Sequence, residues 1–193
     1  MEQRDPDETV DDEWGLVTRA QDGDLDAFGV LVDRYSPRLF RFAMRLLYNR
    51  DDAEDAVQDA ALQAWRKLPD LEDPDAFSAW IYRITRNRCA EIQRVAARRA
   101  TDPWDPADMP DEEGGARQAV SPSRAVETTE AMAALKRLVA ELNEDLRVCW
   151  VLAELENMTY DEIGDIVGAS RSTVRGRIAR ARAHLAKGMA AWQ

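Results

Sequence analysis

Histidine is all but missing: His184 is the only one in 193 residues. With it go most histidine-based acid–base catalysis and most zinc sites. Cysteine is nearly as scarce. Cys89 and Cys149 lie in separate segments with no Cys-x-x-Cys or Cys/His spacing, so both read as small buried apolar residues, not redox or metal groups. No nucleophile or phosphate-loop constellation occurs either; an enzyme is the weakest reading, and no cofactor or metal is expected. No apolar run approaches the roughly 18 to 20 residues of a membrane span. The opening MEQRDPDETVDDEW is acidic where a signal peptide would be basic and then apolar, which points to a cytoplasmic protein. Aromatic residues make up only 7% of the chain while Ala, Leu, Arg, Asp and Glu recur, so helices are favoured over strands and the expected fold class is all-α.

One further absence is local. The chain carries a formal net charge of -11, yet from Ser170 to Gln193 there is no Asp or Glu, only Arg171, Arg175, Arg177, Arg180, Arg182 and Lys187 among charged side chains. An acidic protein that ends in a basic segment needs two kinds of partner: nucleic acid for the basic end, something else for the rest.

Periodicity divides the chain. Residues 1–12 are acidic and aperiodic and read as a disordered tail. Trp14, Val17 and Ala20 then mark a short helix ended by Gly23. Asp24 caps an amphipathic segment through Leu25, Phe28, Leu31, Val32 and Tyr35, and Pro37 suits the first turn of another with Leu39, Phe42, Leu46 and Leu47. Asp51 or Asp52 is expected to cap the next helix. Its stripe is Ala53, Ala56, Val57, Ala60, Ala61, Ala64, Trp65 and Leu68, with Glu54, Asp55, Gln58, Asp59 and Gln63 opposite. After a loop, Asp73-Pro74 opens a long helix, and residues 13–97 form a first helical domain. The stretch 98–123 is acidic and rich in Pro and Gly and reads as a flexible linker. A second domain spans 124–193: a helix from Arg124 to Leu142, another after Asn143, a short one from Tyr160 to Val167 opened by the capping box Thr159-x-x-Glu162, and a last helix capped by Ser170.

A helix, a break at Gly168 and a second helix with its apolar stripe at Val174, Ile178, Ala181 and Leu185 make a helix-turn-helix. Ser172, Gly176, Ala179, Arg180 and Ala183 fall on the outer side, flanked by Arg175 and Lys187. Small residues there let a helix approach base edges closely, and Arg can bond guanine bidentately. On the residues alone, a DNA-binding regulator with a partner-sensing helical domain explains this end of the chain. It leaves DAEDAVQDAALQAW unexplained.

That stretch, together with DAFSAWIYRITRN, resembles region 2 of the extracytoplasmic-function sigma factors of bacterial RNA polymerase. LENMTYDEIGDIVGASRSTVRGRIARARAHL resembles their region 4. The resemblance implies a subunit that binds core RNA polymerase and directs promoter-specific initiation at minus-10 and minus-35 elements. It makes Asp55, Gln58 and Asp59 the face that docks on the clamp helices of the β′ subunit, with the β subunit also in contact. It places minus-10 DNA against Leu68, Asp70 and Leu71 in the loop, where a flipped base would be accepted, and against Trp80, Arg83, Arg86 and Asn87 on the following helix. Trp80 also fits a core role. Minus-35 DNA would meet Arg171, Ser172, Thr173, Arg175, Gly176, Arg177, Ala179 and Arg180. Of these, Arg177 ranks lower: like Arg182, it could pair with Asp161 or Glu162 of its own domain. The resemblance implies an anti-sigma factor as a further partner, and a linker whose charge resembles nascent RNA. Gly176 departs from the family pattern on the reading face, so a relative's promoter sequence cannot be borrowed, and the pair Ala60-Ala61 is smaller than the family's, which bears on local packing and not on the docking face.

Overall fold

The structure, a computed structural model, describes residues 13–101 and 134–190. The expected acidic tail, most of the expected linker, and the beginning of the helix expected from Arg124, including Met132, lie outside the described residues. Eight α-helices and two short 3-10 turns account for nearly all of the described chain, with no strand among the described residues. The first four are α1 (Glu13–Gln21), α2 (Leu25–Leu47), α3 (Arg50–Lys67) and α4 (Phe77–Thr101), with 3-10 turns at Leu68–Asp70 and Pro74–Ala76. The rest are α5 (134–141), α6 (Glu144–Glu154), α7 (Tyr160–Val167) and α8 (Arg171–Met189).

Two helices expected on either side of Pro37 are one. Pro37 lies inside α2, and the buried residues Ala27, Leu31, Tyr35, Leu39, Phe42, Ala43 and Leu46 keep a single stripe running past it. A continuous apolar face outweighs the hydrogen bond that proline removes. The same stripe leaves Leu25 exposed, and in α1 the buried residues are Leu16, Val17 and Ala20, with Trp14 in water. Asn49, not Asp51 or Asp52, caps α3, its side-chain oxygen accepting from the Asp52 amide at 3.1 Å. The predicted stripe of α3 is otherwise present, with Ala61 and Trp65 half-buried at its edge. Asp73 caps as expected, but the turn it opens is 3-10 before α4 begins. That helix then runs to Thr101, past the expected start of the linker.

Small alanines on α3 let α2 and α4 pack close to it, and larger residues fill the rest. Phe42 meets Tyr82 and Tyr35 meets Phe77, both edge-on with centroids 5.4 Å apart, pairs that contribute about 0.5–1.5 kcal/mol beyond area burial. The Tyr35 hydroxyl donates to Glu13 at 2.7 Å and ties α1 to α2; burial pushes its pKa up to about 12. Cys89 and Cys149 are both buried thiols.

The second group is built on α8, whose buried residues are Val174, Ile178, Ala181 and Leu185, the stripe read from sequence. Val139 and Leu142 cover the C-terminal half of that stripe, while α6 and α7 cover its beginning. The two groups also pack on each other: α4 lies against α7 and α2 against α6, so that Val148, Val151, Ile163 and Ile166 join the same apolar core as Phe42 and Ile81.

Candidate nucleic-acid interface

The turn between α7 and α8 is made by two glycines and two caps. Gly168 ends α7 in the left-handed region at φ 67°, where a side chain would be strained. A Cβ on Gly164 would stand 2.7 Å from the Ala169 carbonyl oxygen, so only glycine allows the chain to fold back so tightly. At the start of α7 the capping box is complete: the Glu162 amide donates to Thr159 Oγ1 at 3.3 Å, and the Thr159 amide donates to Glu162 Oε2 at 2.7 Å. Ser170 Oγ accepts from the Thr173 amide at 3.3 Å and starts α8.

With its apolar stripe inward, α8 turns Arg171, Ser172, Thr173, Arg175, Ala179 and Arg180 fully outward, while Gly176 and Arg177 are half-buried. A Cβ built on Gly176 would meet nothing within 4 Å. The arginines then separate by partner. Arg177 pairs with Asp145 at 2.7 Å and Arg182 with Glu154, so the acids that hold them sit on α6 and not at Asp161 or Glu162 as expected. Arg171, expected against minus-35 DNA, is the one that pairs with Asp161. Among the described residues Arg175 and Arg180 make no ion pair; Arg180 only donates from Nε to the Gly176 carbonyl at 3.2 Å. Two unpaired guanidinium groups beside a bare stretch of helix are what a major groove accommodates.

On the first four helices, Asp55 and Gln58 are exposed and Asp59 is partly so, pairing with Arg88 at 2.6 Å. Glu91 and then Asp59 hold Arg88 above its ordinary pKa. The loop after α3 is braced from below, since Gln21 Nε2 donates to the Leu68 carbonyl at 3.1 Å and the Leu71 carbonyl at 2.6 Å. Sequence offered no sign of that brace. Leu68 itself is 0% exposed and its side chain belongs to the core, so the loop presents Asp70 and, half-buried, Leu71. Further on, Trp80 is half-buried with its ring 5.9 Å from that of Phe77, Arg83 and Asn87 are exposed, and Arg86 is mostly covered. A cleft of about 430 Å³ is bounded by Leu71, Asp73, Trp80 and Arg83 on one side and by Glu162 and Asp165 on the other.

A capped helix-turn-helix with two unpaired arginines on its outer face, joined to a helical bundle with a polar outer face on α3, has the geometry of a DNA-binding transcription protein. The comparisons narrow this. The model of Sigma-70 region 2 matches residues 31–101, and that of Sigma-70, region 4 matches residues 132–185. The RNA polymerase sigma-H factor of Pseudomonas aeruginosa is 30% identical over 184 residues, covering 94% of this chain and 95% of that one. The ECF RNA polymerase sigma-E factor of Escherichia coli K12 is 35% identical over 172 residues, covering 86% and 88%. Among solved structures, CnrH in complex with the cytosolic domain of CnrY superposes with a TM-score of 0.69 at 28% identity, over 93% of this chain and 97% of that one. The sigma factor RpoE of Bartonella quintana, in complex with the anti-sigma factor NepR, superposes at 0.64 with 26% identity, over 86% and 96%. The chain belongs to the sigma-70 family of RNA polymerase sigma factors, in its extracytoplasmic-function group. It therefore directs promoter-specific transcription initiation by core RNA polymerase.

Proposed function

We propose the following division of labour among its residues. Asp55, Gln58 and Asp59 dock on the β′ clamp helices. Asp70, Leu71, Trp80, Arg83, Arg86 and Asn87 hold the opened minus-10 strand, with Leu68 shaping the loop from inside. On the minus-35 duplex, Arg175 and Arg180 reach base edges, Gly176 and Ala179 allow the approach, and Arg171, Ser172, Thr173 and Arg177 stand near phosphate. The observation that carries this reading is the exposed, unpaired state of Arg175 and Arg180 on a helix that follows a tight glycine turn and is capped by Ser170.

The mechanism is one of positioning. Opened single strand is held by cationic grooves, and flipped bases are captured in pockets; the half-buried Trp80 and the exposed Arg83 beside it suit that task. Phosphodiester chemistry belongs to the polymerase, and the protein acts in the cytoplasm. A net charge of -11 opposes tight DNA binding by the chain alone, so promoter recognition requires the holoenzyme. By likeness to the relatives solved with the cytosolic domain of CnrY and with NepR, an anti-sigma protein is a further partner. No described helix is long and apolar enough to cross a membrane. Run-off transcription from a promoter library with purified core polymerase tests the proposal: transcripts should start at a defined promoter class only when this protein is added. Transcription from the same set of starts without it would refute the reading.

A further inference from the structure

The loop proposed to accept a minus-10 base is held by a side chain from a different helix. Gln21 is the last residue of α1, and its Nε2 amide donates to two backbone carbonyls of that loop, Leu68 at 3.1 Å and Leu71 at 2.6 Å. An amide nitrogen has two protons to give, and here each has its own acceptor. The Leu68 carbonyl also accepts from the Leu71 amide at 3.1 Å, closing the 3-10 turn, so the side chain and both ends of the turn meet at one point. Gln21 is itself firmly placed. Leu16, Val17 and Ala20 seat α1 in the core, Glu13 accepts from Tyr35 at its start, and Arg19 donates to Asp24 at 2.9 Å across the turn at its end. At the far end of the loop, Asp73 accepts from the Asp75 amide at 3.0 Å.

A loop that chooses among bases must have its atoms in place before the base arrives. Functional groups need to be held to within about 0.5 Å of the productive geometry, and a loop free to adjust accommodates a wrong base nearly as well as the right one. The buried Leu68 side chain fixes the beginning of the loop, but Leu71, three residues on, is only half-buried and Asp70 is exposed. With the Leu68 and Leu71 carbonyls both turned towards Gln21, the segment between them has one way to present those two side chains. Resting on the function proposed above, we propose that Gln21 is a positioning residue for minus-10 reading: it touches no DNA, and it sets which base the loop accepts by fixing the Leu68 and Leu71 carbonyls. The residue lies ahead of residues 31–101, the stretch matched by the region 2 model, and on a helix that carries neither the docking face nor any of the proposed DNA contacts. Minus-10 selectivity thus depends on α1 as well as on α3 and α4.

The test uses the full-length chain assembled with core polymerase, in run-off transcription on promoters varied singly at each minus-10 base and, separately, at each minus-35 base. Gln21→Met keeps the length of the side chain and removes both donors. It should lower the preference at one minus-10 position about tenfold, the scale of the hydrogen bonds removed, and leave preferences at minus-35 unchanged. Gln21→Asn, which keeps the amide but falls short of the carbonyls, should do the same without placing an apolar group beneath the loop. Gln21→Lys supplies an ammonium that can donate to both carbonyls, and it should restore most of the lost preference. Tm and the yield of assembled holoenzyme are followed for each variant. An equal fall in transcription at every promoter, in step with a lower Tm or a lower yield and without a change in base preference, would make Gln21 a structural brace alone and overturn the proposal. A minus-10 preference that survives intact in both Gln21→Met and Gln21→Asn would overturn it too, while leaving the proposed function standing. If the unaltered holoenzyme showed no base preference at minus-10 at all, the function proposed above would fall and this role with it, so the two failures are told apart.

Discussion

Replacing Gly176 by Ala should move stability and promoter reading in opposite directions. Gly176 sits within α8, far from either end, its φ is ordinary, and an added Cβ would touch nothing within 4 Å. A helix-interior glycine costs about 0.8–1.0 kcal/mol relative to alanine, so Gly176→Ala should stabilise by close to 1 kcal/mol. For a chain of this size that is a rise of roughly 2–4 °C in Tm, followed by circular dichroism. The same methyl group would project between Arg175 and Arg180 on the face proposed to enter the groove. Where a close base contact is lost, run-off transcription from promoters with a strong minus-35 element should fall by about tenfold or more, a loss of roughly 1–3 kcal/mol. Promoters read mainly through minus-10 should change little. A lowered Tm would mean that the backbone at Gly176 is not relaxed helix. A raised Tm with transcription unchanged across the promoter set would remove Gly176 from the DNA interface.

Other outcomes follow from the same geometry. Asp55→Arg should stop the protein co-purifying with core polymerase while leaving Tm within about 1 kcal/mol equivalent, because Asp55 is exposed; Asp59→Arg should add a small loss of stability from the partly exposed Arg88 pair. Arg175→Ala should reduce transcription selectively at cognate minus-35 sequences by about 1–3 kcal/mol, whereas Arg171→Ala, which removes a residue already paired with Asp161, should give a smaller and sequence-independent change in run-off assays. Ser170→Ala should cost about 1 kcal/mol through loss of the α8 cap, read as a lower Tm. Burial pushes the Cys89 thiol up to about 12 from an ordinary value of 9.0, and raises Cys149 as well. The folded state thus holds these protons more tightly than the unfolded chain, and their contribution is complete below pH 9 and is lost as pH rises above it, for Cys89 as pH approaches 12. Denaturant melts should show stability falling over that window, less steeply in Cys89→Ala, and native protein should resist thiol alkylation at pH 8 until it is unfolded.

Much of this architecture was legible because it rests on local physics. The stripe Val174, Ile178, Ala181 and Leu185, the capping box at Thr159, the cap at Ser170 and the stop at Gly168 each follow from residue type at helical spacing, and each is present. Where local signals misled, a longer-range effect intervened. Pro37 marks a helix start by its own preference, yet the apolar face on both sides of it is continuous, so burial carried the helix through. Asn49 took the cap of α3 two and three residues before the aspartates, its side chain accepting from the Asp52 amide.

From the sequence by itself came the helical class, the division of the chain into two helical modules, and the basic outward face of α8, since periodicity and capping depend on neighbours within a turn or two. Only the tertiary structure decided which arginines of that face stay unpaired, that Leu68 is core while the loop around it is held by Gln21, and that α6 and α7 lie against α2 and α4. Those outcomes depend on pairs such as Arg177 with Asp145, Tyr82 with Glu156 and Arg86 with Glu144. Residues so far apart in the chain meet only once the helices have packed, and no local pattern announces which distant acid will lie beside which arginine.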